Sequence, residues 1–284
     1  MLRICLILLV TFVAINSPQV ASARRSGSGS SEGTLEAAAK TDEFKSKHER
    51  SEAPVVPQGG ETFSLGTGDH ASQAYLVKPE QVSRGGIVMV HEWWGLNDHI
   101  RHEAHRFADL GYVVLAVDLY RNRVATTRDE AAEYMQGADP DHCQQVLAFA
   151  VDYLRDHQNV TKVGTIGWCF GGGWSLKAAK AAGAKVDACV VYYGQLFTKA
   201  TELEGLTAPV LAIIADQDKW ITPAMGSEFK AAMTEAGKKA TVLVYPADHA
   251  FANPTGDRHH EESARKAWEK TKSFFETSFG SRQE

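Results

Sequence analysis

Apolar residues in this chain gather into short, nearly unbroken runs separated by longer mixed stretches. Ile87 to His91, Val113 to Val117, Val163 to Ile166, Ala188 to Tyr192, Val210 to Ile214 and Thr241 to Tyr245 are such runs. Runs of this length and continuity predict strands buried on both faces. The stretches His99 to Leu110 (closed by Gly111), Thr127 to His157, Gly172 to Ala182, Pro223 to Ala236 and Glu261 to Phe275 read as helical segments. Phe63 to Leu65 and Ala74 to Val77 predict an opening antiparallel pair, turned at Gly66 to Asp69. Strand and helix alternate, so the predicted class is α/β: a mostly parallel sheet covered by helices on both faces. In such folds ligands bind at the carboxyl ends of the strands.

The first 56 residues follow neither rhythm. Arg3 precedes an apolar run from Ile4 to Ile15, and Ala21-Ser22-Ala23 forms a small-x-small cleavage site. This predicts an export signal over residues 1–23, cut near Ala23, and hence a periplasmic or secreted protein. The run is too short for a stable membrane anchor. Residues 24–56 are rich in Ser, Gly, Ala, Glu and Lys, which predicts a flexible linker; Leu35 to Lys47 has room for a helical turn or two but little to bury. The folded domain is expected over residues 57–284. Loss of Cys5 with the signal leaves Cys143, Cys169 and Cys189, an odd number, so at least one thiol is expected to stay unpaired.

Composition narrows the function classes. With 44% hydrophobic and 23% charged residues, the chain is neither collagenous, wholly disordered nor a polytopic membrane protein. A formal charge of −5 offers no footprint for nucleic acid. The expected partner is a small molecule, the expected state a monomer, and no cofactor or metal is called for. His99, His102 and His105 invite a metal reading, but the zinc-protease spacing is missed by one residue, so solvated helix-face histidines are expected. His259 and His260 are expected to be exposed at a helix start.

One motif carries chemistry. Gly167-Trp168-Cys169-Phe170-Gly171 follows the strand ending at Ile166, and Gly172-Gly173 open a helix. This is a nucleophile-elbow pattern with Cys in the usual place of Ser. The turn is sharp enough to strain the nucleophile's backbone and to demand glycine on either side. It sets the thiol at a helix N-terminus, with the Phe170 backbone N–H facing a developing oxyanion. The competing reading is a buried structural cysteine beside a Gly-rich contact. An elbow requires an acid and then a His at later strand ends. Asp216 and Asp218 follow Val210 to Ile214, and His249 follows Thr241 to Tyr245. Asp218 is favoured over Asp216, which is closer to the strand and suited to capping the turn. Asp248 is expected to be a solvated turn residue.

His91-Glu92-Trp93-Trp94-Gly95-Leu96-Asn97, Gly111-Tyr112 leading to Asp118-Leu119-Tyr120, the Cys169 elbow, Gln217-Asp218 and His249-Ala250-Phe251-Ala252 together resemble the dienelactone hydrolase family, in order from about Glu61 to Phe275. The resemblance implies the α/β-hydrolase fold and a Cys169–His249–Asp218 triad. It implies oxyanion donors at the backbone N–H groups of Trp93 and Phe170, and a Glu92 that keeps the resting thiol neutral. The implied reaction is hydrolysis of an enol-lactone or related carboxylic ester through an acyl-thioester. Two positions depart from the family: its substrate-carboxylate arginines correspond to Asn253 and, with Tyr134 aligned, to Glu130. Arg121, Arg123 and Arg128 are the nearby arginines. Tyr134, Asn253 and Trp220, two residues after Asp218, are expected near the pocket. The alternatives are a general carboxylesterase or acyl transferase on another acyl group, and a non-catalytic binding protein on the same fold.

Overall fold

The computed structural model describes residues 35–49, 54–81 and 83–280. The expected signal peptide, with Cys5, and the rest of the expected linker lie outside the described residues. Two short helices come first, α1 (Leu35–Ala38) and α2 (Asp42–Ser46). The body then runs β1 (Glu61–Leu65), β2 (Ser72–Val77), β3 (Gly86–Val90), α3 (Asp98–Ala108), β4 (Val113–Val117), α4 (Arg128–Gln136), α5 (Pro140–His157), β5 (Val163–Trp168) and α6 (Phe170–Ala182). It closes with β6 (Ala188–Tyr192), β7 (Val210–Ala215), α7 (Pro223–Glu235), β8 (Ala240–Tyr245) and α8 (Glu261–Phe279). Every predicted strand and helix is present, within a few residues at each end.

The eight strands form one sheet in the order β1-β2-β4-β3-β5-β6-β7-β8. Only the pairings of β2, with β1 and with β4, are antiparallel; β3 through β8 run parallel. Strands β3 to β7 are buried along their full length, which is why their sequences are continuous apolar runs rather than alternating ones. Helices cover both faces. A Cβ on Gly164 would meet Phe275 of α8 at 2.5 Å, whereas the next residue, Thr165, donates from its hydroxyl to the Ser175 carbonyl of α6. Successive strand residues point to opposite faces, so α8 and α6 lie on opposite sides of the sheet. On the α8 side, Phe107 of α3 packs edge-on against Trp268 at 4.7 Å.

The chain order reverses at β3, which pairs with β4 on one side and β5 on the other. A crevice at such a switch point is where open α/β sheets hold their ligands. Here the carboxyl ends of β3 and β5 deliver Glu92 and Cys169 next to each other, through the register pair Val90 and Gly167.

Two expectations fail. The predicted linker does not describe residues 35–49: Leu35, Ala39, Phe44 and His48 are buried, and Phe44 packs edge-on against Trp93 at 5.3 Å and Trp220 at 4.7 Å. The few apolar residues of this strap find an aromatic floor built from distant parts of the chain. Nor are all the α3 histidines solvated: His102 stays about a third exposed, but His99 and His105 are buried, with His105 Nε2 2.8 Å from the Tyr75 hydroxyl. His259 and His260 are exposed at the start of α8, as expected. Among the described residues no helix is long and apolar enough to cross a membrane.

Candidate active site

The elbow is enforced by backbone crowding. Cys169 sits at φ 54°, ψ −119°, a region that costs a non-glycine residue about 1–3 kcal/mol. The surroundings leave no alternative. A Cβ at Gly167 would lie 2.1 Å from the Gly171 carbonyl oxygen, and one at Gly171 would lie 2.3 Å from that of His91. The first turn of α6 begins immediately, with Gly172 N–H donating to the Cys169 carbonyl at 3.1 Å.

Three side chains then line up. Cys169 Sγ is 3.2 Å from His249 Nε2, and His249 Nδ1 is 2.6 Å from Asp218 Oδ2. The other oxygen of Asp218 accepts from the backbone N–H groups of Trp220 at 2.8 Å and Ile221 at 2.9 Å. The loop after β7 therefore fixes the carboxylate before it meets the imidazole. Asp216 is exposed, and its backbone N–H donates across to the Tyr245 carbonyl of β8, so the nearer aspartate is not the partner of His249. Asp248 is partly buried and accepts from the His249 N–H at 2.7 Å.

Glu92 is buried beside this line. It accepts from Asn253 Nδ2 at 2.5 Å, and Tyr193 donates to it from its hydroxyl at 3.5 Å. Burial pushes the Glu92 carboxyl up to about 7, against the Asn253 hydrogen bond and the nearby Arg258 charge. The same burial, followed by the Glu92 charge, holds the Cys169 thiol well above its ordinary range, with the Phe170 backbone N–H pulling the other way. Burial and the Glu92 charge thus both disfavour the thiolate. Cys143 and Cys189 are also free and buried, pushed up to about 12 and about 11. Neither has the histidine that Cys169 has.

The sequence-predicted pocket residues sort unevenly. Trp220 stands edge-on to His249 at 5.5 Å. Asn253 lines the cavity but is committed to Glu92, with its carbonyl oxygen accepting from Thr255. Tyr134 does not line it; its ring packs on Tyr120 at 6.0 Å and under the Arg123 guanidinium at 4.1 Å. Glu130 caps α4 by accepting from Thr126 and Thr127, which explains a glutamate at that position. Arg121 and Arg128 are spent on surface carboxylates. Cys169 itself is buried rather than exposed at its turn.

Three further residues at the site carry no signal in the sequence. His48 of the strap is buried 5.6 Å from the His249 ring and 4.5 Å from Trp93, and burial holds its imidazole neutral, well below the ordinary histidine range. Tyr193 supports Glu92. Arg258 lines the same cavity as Cys169 and Glu92 with only 9% of its side chain exposed. Its Nε and Nη1 have no hydrogen-bond acceptor. Its carboxylate neighbour, Asp248, is 3.9 Å away, too far for a hydrogen bond. Nothing in the spacing marked Arg258; only the loop after His249 carries it in. With the strap seated, the cavity over Cys169 measures about 20 Å³, room for roughly one water. A larger concavity of about 700 Å³ between α5 and α6 shares no residue with the site.

Known proteins with this pattern are consistent in kind. The chain is 27% identical over 242 residues to a Saccharolobus solfataricus protein named "Putative carboxymethylenebutenolidase", covering 71% of this chain and 92% of that one. It is 28% identical over 224 residues to a Bradyrhizobium protein named "Probable 2-oxo-3-(5-oxofuran-2-ylidene)propanoate lactonase", covering 73% and 90%. Its fold is shared with a dienelactone hydrolase-like promiscuous phosphotriesterase from metagenomic libraries, at a TM-score of 0.70 and 24% identity, covering 78% of this chain and 98% of that one. The pattern of the Dienelactone hydrolase family matches residues 72–279, a stretch that holds the elbow, Asp218, His249 and Glu92; this chain is a hydrolase that belongs to the dienelactone hydrolase family.

Proposed function

We propose that the protein cleaves a carboxylic ester or lactone through a covalent acyl-thioester on Cys169. The observation that carries this is the unbroken line from Cys169 Sγ to His249 to Asp218, at 3.2 and 2.6 Å, on a strained elbow. His249 Nε2 takes the thiol proton, and Asp218 holds the imidazole in the tautomer that allows it. The thiolate attacks the carbonyl carbon. The backbone N–H groups of Phe170 and Trp93 receive the oxyanion. Collapse breaks the C–O bond, and His249 returns its proton to the leaving oxygen. Water, deprotonated by the same imidazole, then splits the thioester and restores the thiol.

Glu92 is the brake in this scheme. As an anion it opposes the thiolate; a substrate that displaces it or neutralises its charge releases the sulfur only when an ester is present. Arg258 supports a substrate that carries its own carboxylate, because a buried guanidinium with two unspent N–H groups faces the cavity. It supplies from a new position what the family's arginines supply elsewhere. The strap must leave the mouth before such a substrate fits. Export, supported by the apolar run Ile4 to Ile15 and the Ala21-Ser22-Ala23 site, belongs to the same reading; N-terminal sequencing of the mature protein then begins at Arg24. The test of function is a panel of lactones and aryl esters with and without a free carboxylate. Cleavage should favour the acids, and Arg258→Gln should raise KM for them alone; equal KM values in the two proteins would remove Arg258 from the reading.

A further inference from the structure

We propose that His48, Cys169 and His249 form a binding site for a single thiophilic metal ion of the zinc(II) or copper(I) class. The three residues are buried, and one ring nitrogen of each histidine lies with the sulfur inside a 4.8 Å span, the only such group of three among the described residues. What points to an ion is the state of His48. Its Nδ1 is 2.6 Å from the Phe44 carbonyl oxygen, so that nitrogen carries the proton and donates. The lone pair is then on Nε2, which is buried with no hydrogen-bond partner. A buried acceptor left without a donor is destabilising, and a cation removes that cost.

His249 is prepared in the same way, with Nδ1–H donating to Asp218 and Nε2 facing the sulfur. Metal-binding histidines are held in this manner, by a carbonyl or a carboxylate on the far ring nitrogen. One thiolate and two imidazoles suit a borderline or soft ion rather than magnesium or calcium. Bond lengths of about 2.3 Å to sulfur and 2.0 Å to nitrogen require donors roughly 3.3–3.6 Å apart. The Cys169–His249 pair is already close to that at 3.2 Å. His48, carried on a short strap, closes the remaining distance. The small cavity beside Cys169 has room for a water as fourth ligand.

Binding exchanges the thiol proton for the metal: the S–H bond breaks, the S–metal bond forms, and one proton leaves to solvent. No electron moves. The ion would tie the strap to both the sulfur and the imidazole, holding the chain closed until the metal is withdrawn. That consequence rests on the hydrolase reading; the binding itself does not.

The test is a cobalt(II) titration of the reduced, metal-stripped mature chain, read by sulfur-to-cobalt charge-transfer absorption and by zinc(II) displacement. One equivalent should saturate the band, Cys169→Ser should abolish it, and His48→Ala and His48→Phe should each weaken affinity at least about tenfold. His48→Phe keeps a ring against Phe44 and Trp93, so its loss of affinity cannot be assigned to a lost strap. Absence of the band, its survival in Cys169→Ser, or unchanged affinity in His48→Phe would overturn the proposal. Ester cleavage by the metal-free chain is scored separately, so its failure would count against the hydrolase reading and leave the titration standing.

Discussion

The elbow at Cys169 and the strap at residues 35–49 face each other across one sulfur atom, and they are held by different forces. The elbow is pinned by backbone: Gly167 and Gly171 leave no volume for a side chain, and the strained Cys169 conformation is imposed by β5 and α6 on either side. The strap is pinned by side chains at its tip. Phe44 and His48 insert among Trp93, Trp220 and His249, and three ion pairs tie its outer face to the body. These are Lys45–Asp129 at 2.6 Å, Lys219–Glu43 at 2.6 Å and Arg128–Glu49 at 3.3 Å. At least one partner in each is more than half exposed, so each pair contributes little and is screened by salt. A segment with few buried contacts opens long before the domain unfolds. One side of the sulfur is fixed by crowded backbone, the other by a few buried side chains and exposed ion pairs.

The largest expected effect comes from breaking the rigid side. Asp218→Asn forces His249 toward the wrong tautomer and should lower kcat/KM by roughly 10³–10⁴-fold, whereas Asp216→Asn should stay within about threefold. Reversal of the two in steady-state kinetics would give the role to Asp216.

Glu92→Gln sharpens the comparison through pH. The folded-state carboxyl is raised from about 4.5 to about 7, so the folded protein binds the extra proton between those values. Wild-type stability attached to this group is therefore present below about pH 4.5 and lost as pH rises through about 7. Denaturant titrations should show the variant gaining on wild type across that window, by up to about 3 kcal/mol above pH 7. In the same variant the alkylation profile of Cys169 should move to lower pH, because the like charge is gone. A parallel pH profile for the two proteins would reduce Glu92 to packing.

Breaking the flexible side should have the opposite sign. Phe44→Ala removes the main apolar anchor of the strap and should raise the iodoacetamide rate at Cys169 by about tenfold, since the opening free energy falls by at least roughly 1.4 kcal/mol. Added salt weakens the three ion pairs of the strap and leaves its apolar anchors, so it should speed wild-type alkylation only a few-fold. Slower alkylation in Phe44→Ala would mean that the strap does not guard the thiol.

The same contrast explains what could be read in the sequence. β3 to β7 were legible because strands buried on both faces leave continuous apolar runs, and the elbow because its glycines are a steric necessity at fixed spacing. Asp218 and His249 followed from strand ends. The strap was not legible: Leu35 and Phe44 are isolated apolar residues in a polar stretch, and their burial depends on Trp93 and Trp220, far along the chain. Arg258 and Tyr193 were hidden for the same reason, since only tertiary placement gives a loop arginine or a buried tyrosine its neighbours. His105 misled because a polar residue on a helix face looks solvated until β2 supplies Tyr75 as a partner.

The central claim is that Cys169 carries the acyl group. Its most direct test is intact-mass and peptide analysis of enzyme quenched in acid during turnover of a slow aryl ester. One added acyl mass is expected, located on the peptide containing Cys169 and absent in Cys169→Ala, with turnover in that variant reduced by several orders of magnitude. Unmodified enzyme throughout turnover, with Cys169→Ala active within about tenfold of wild type, would contradict it.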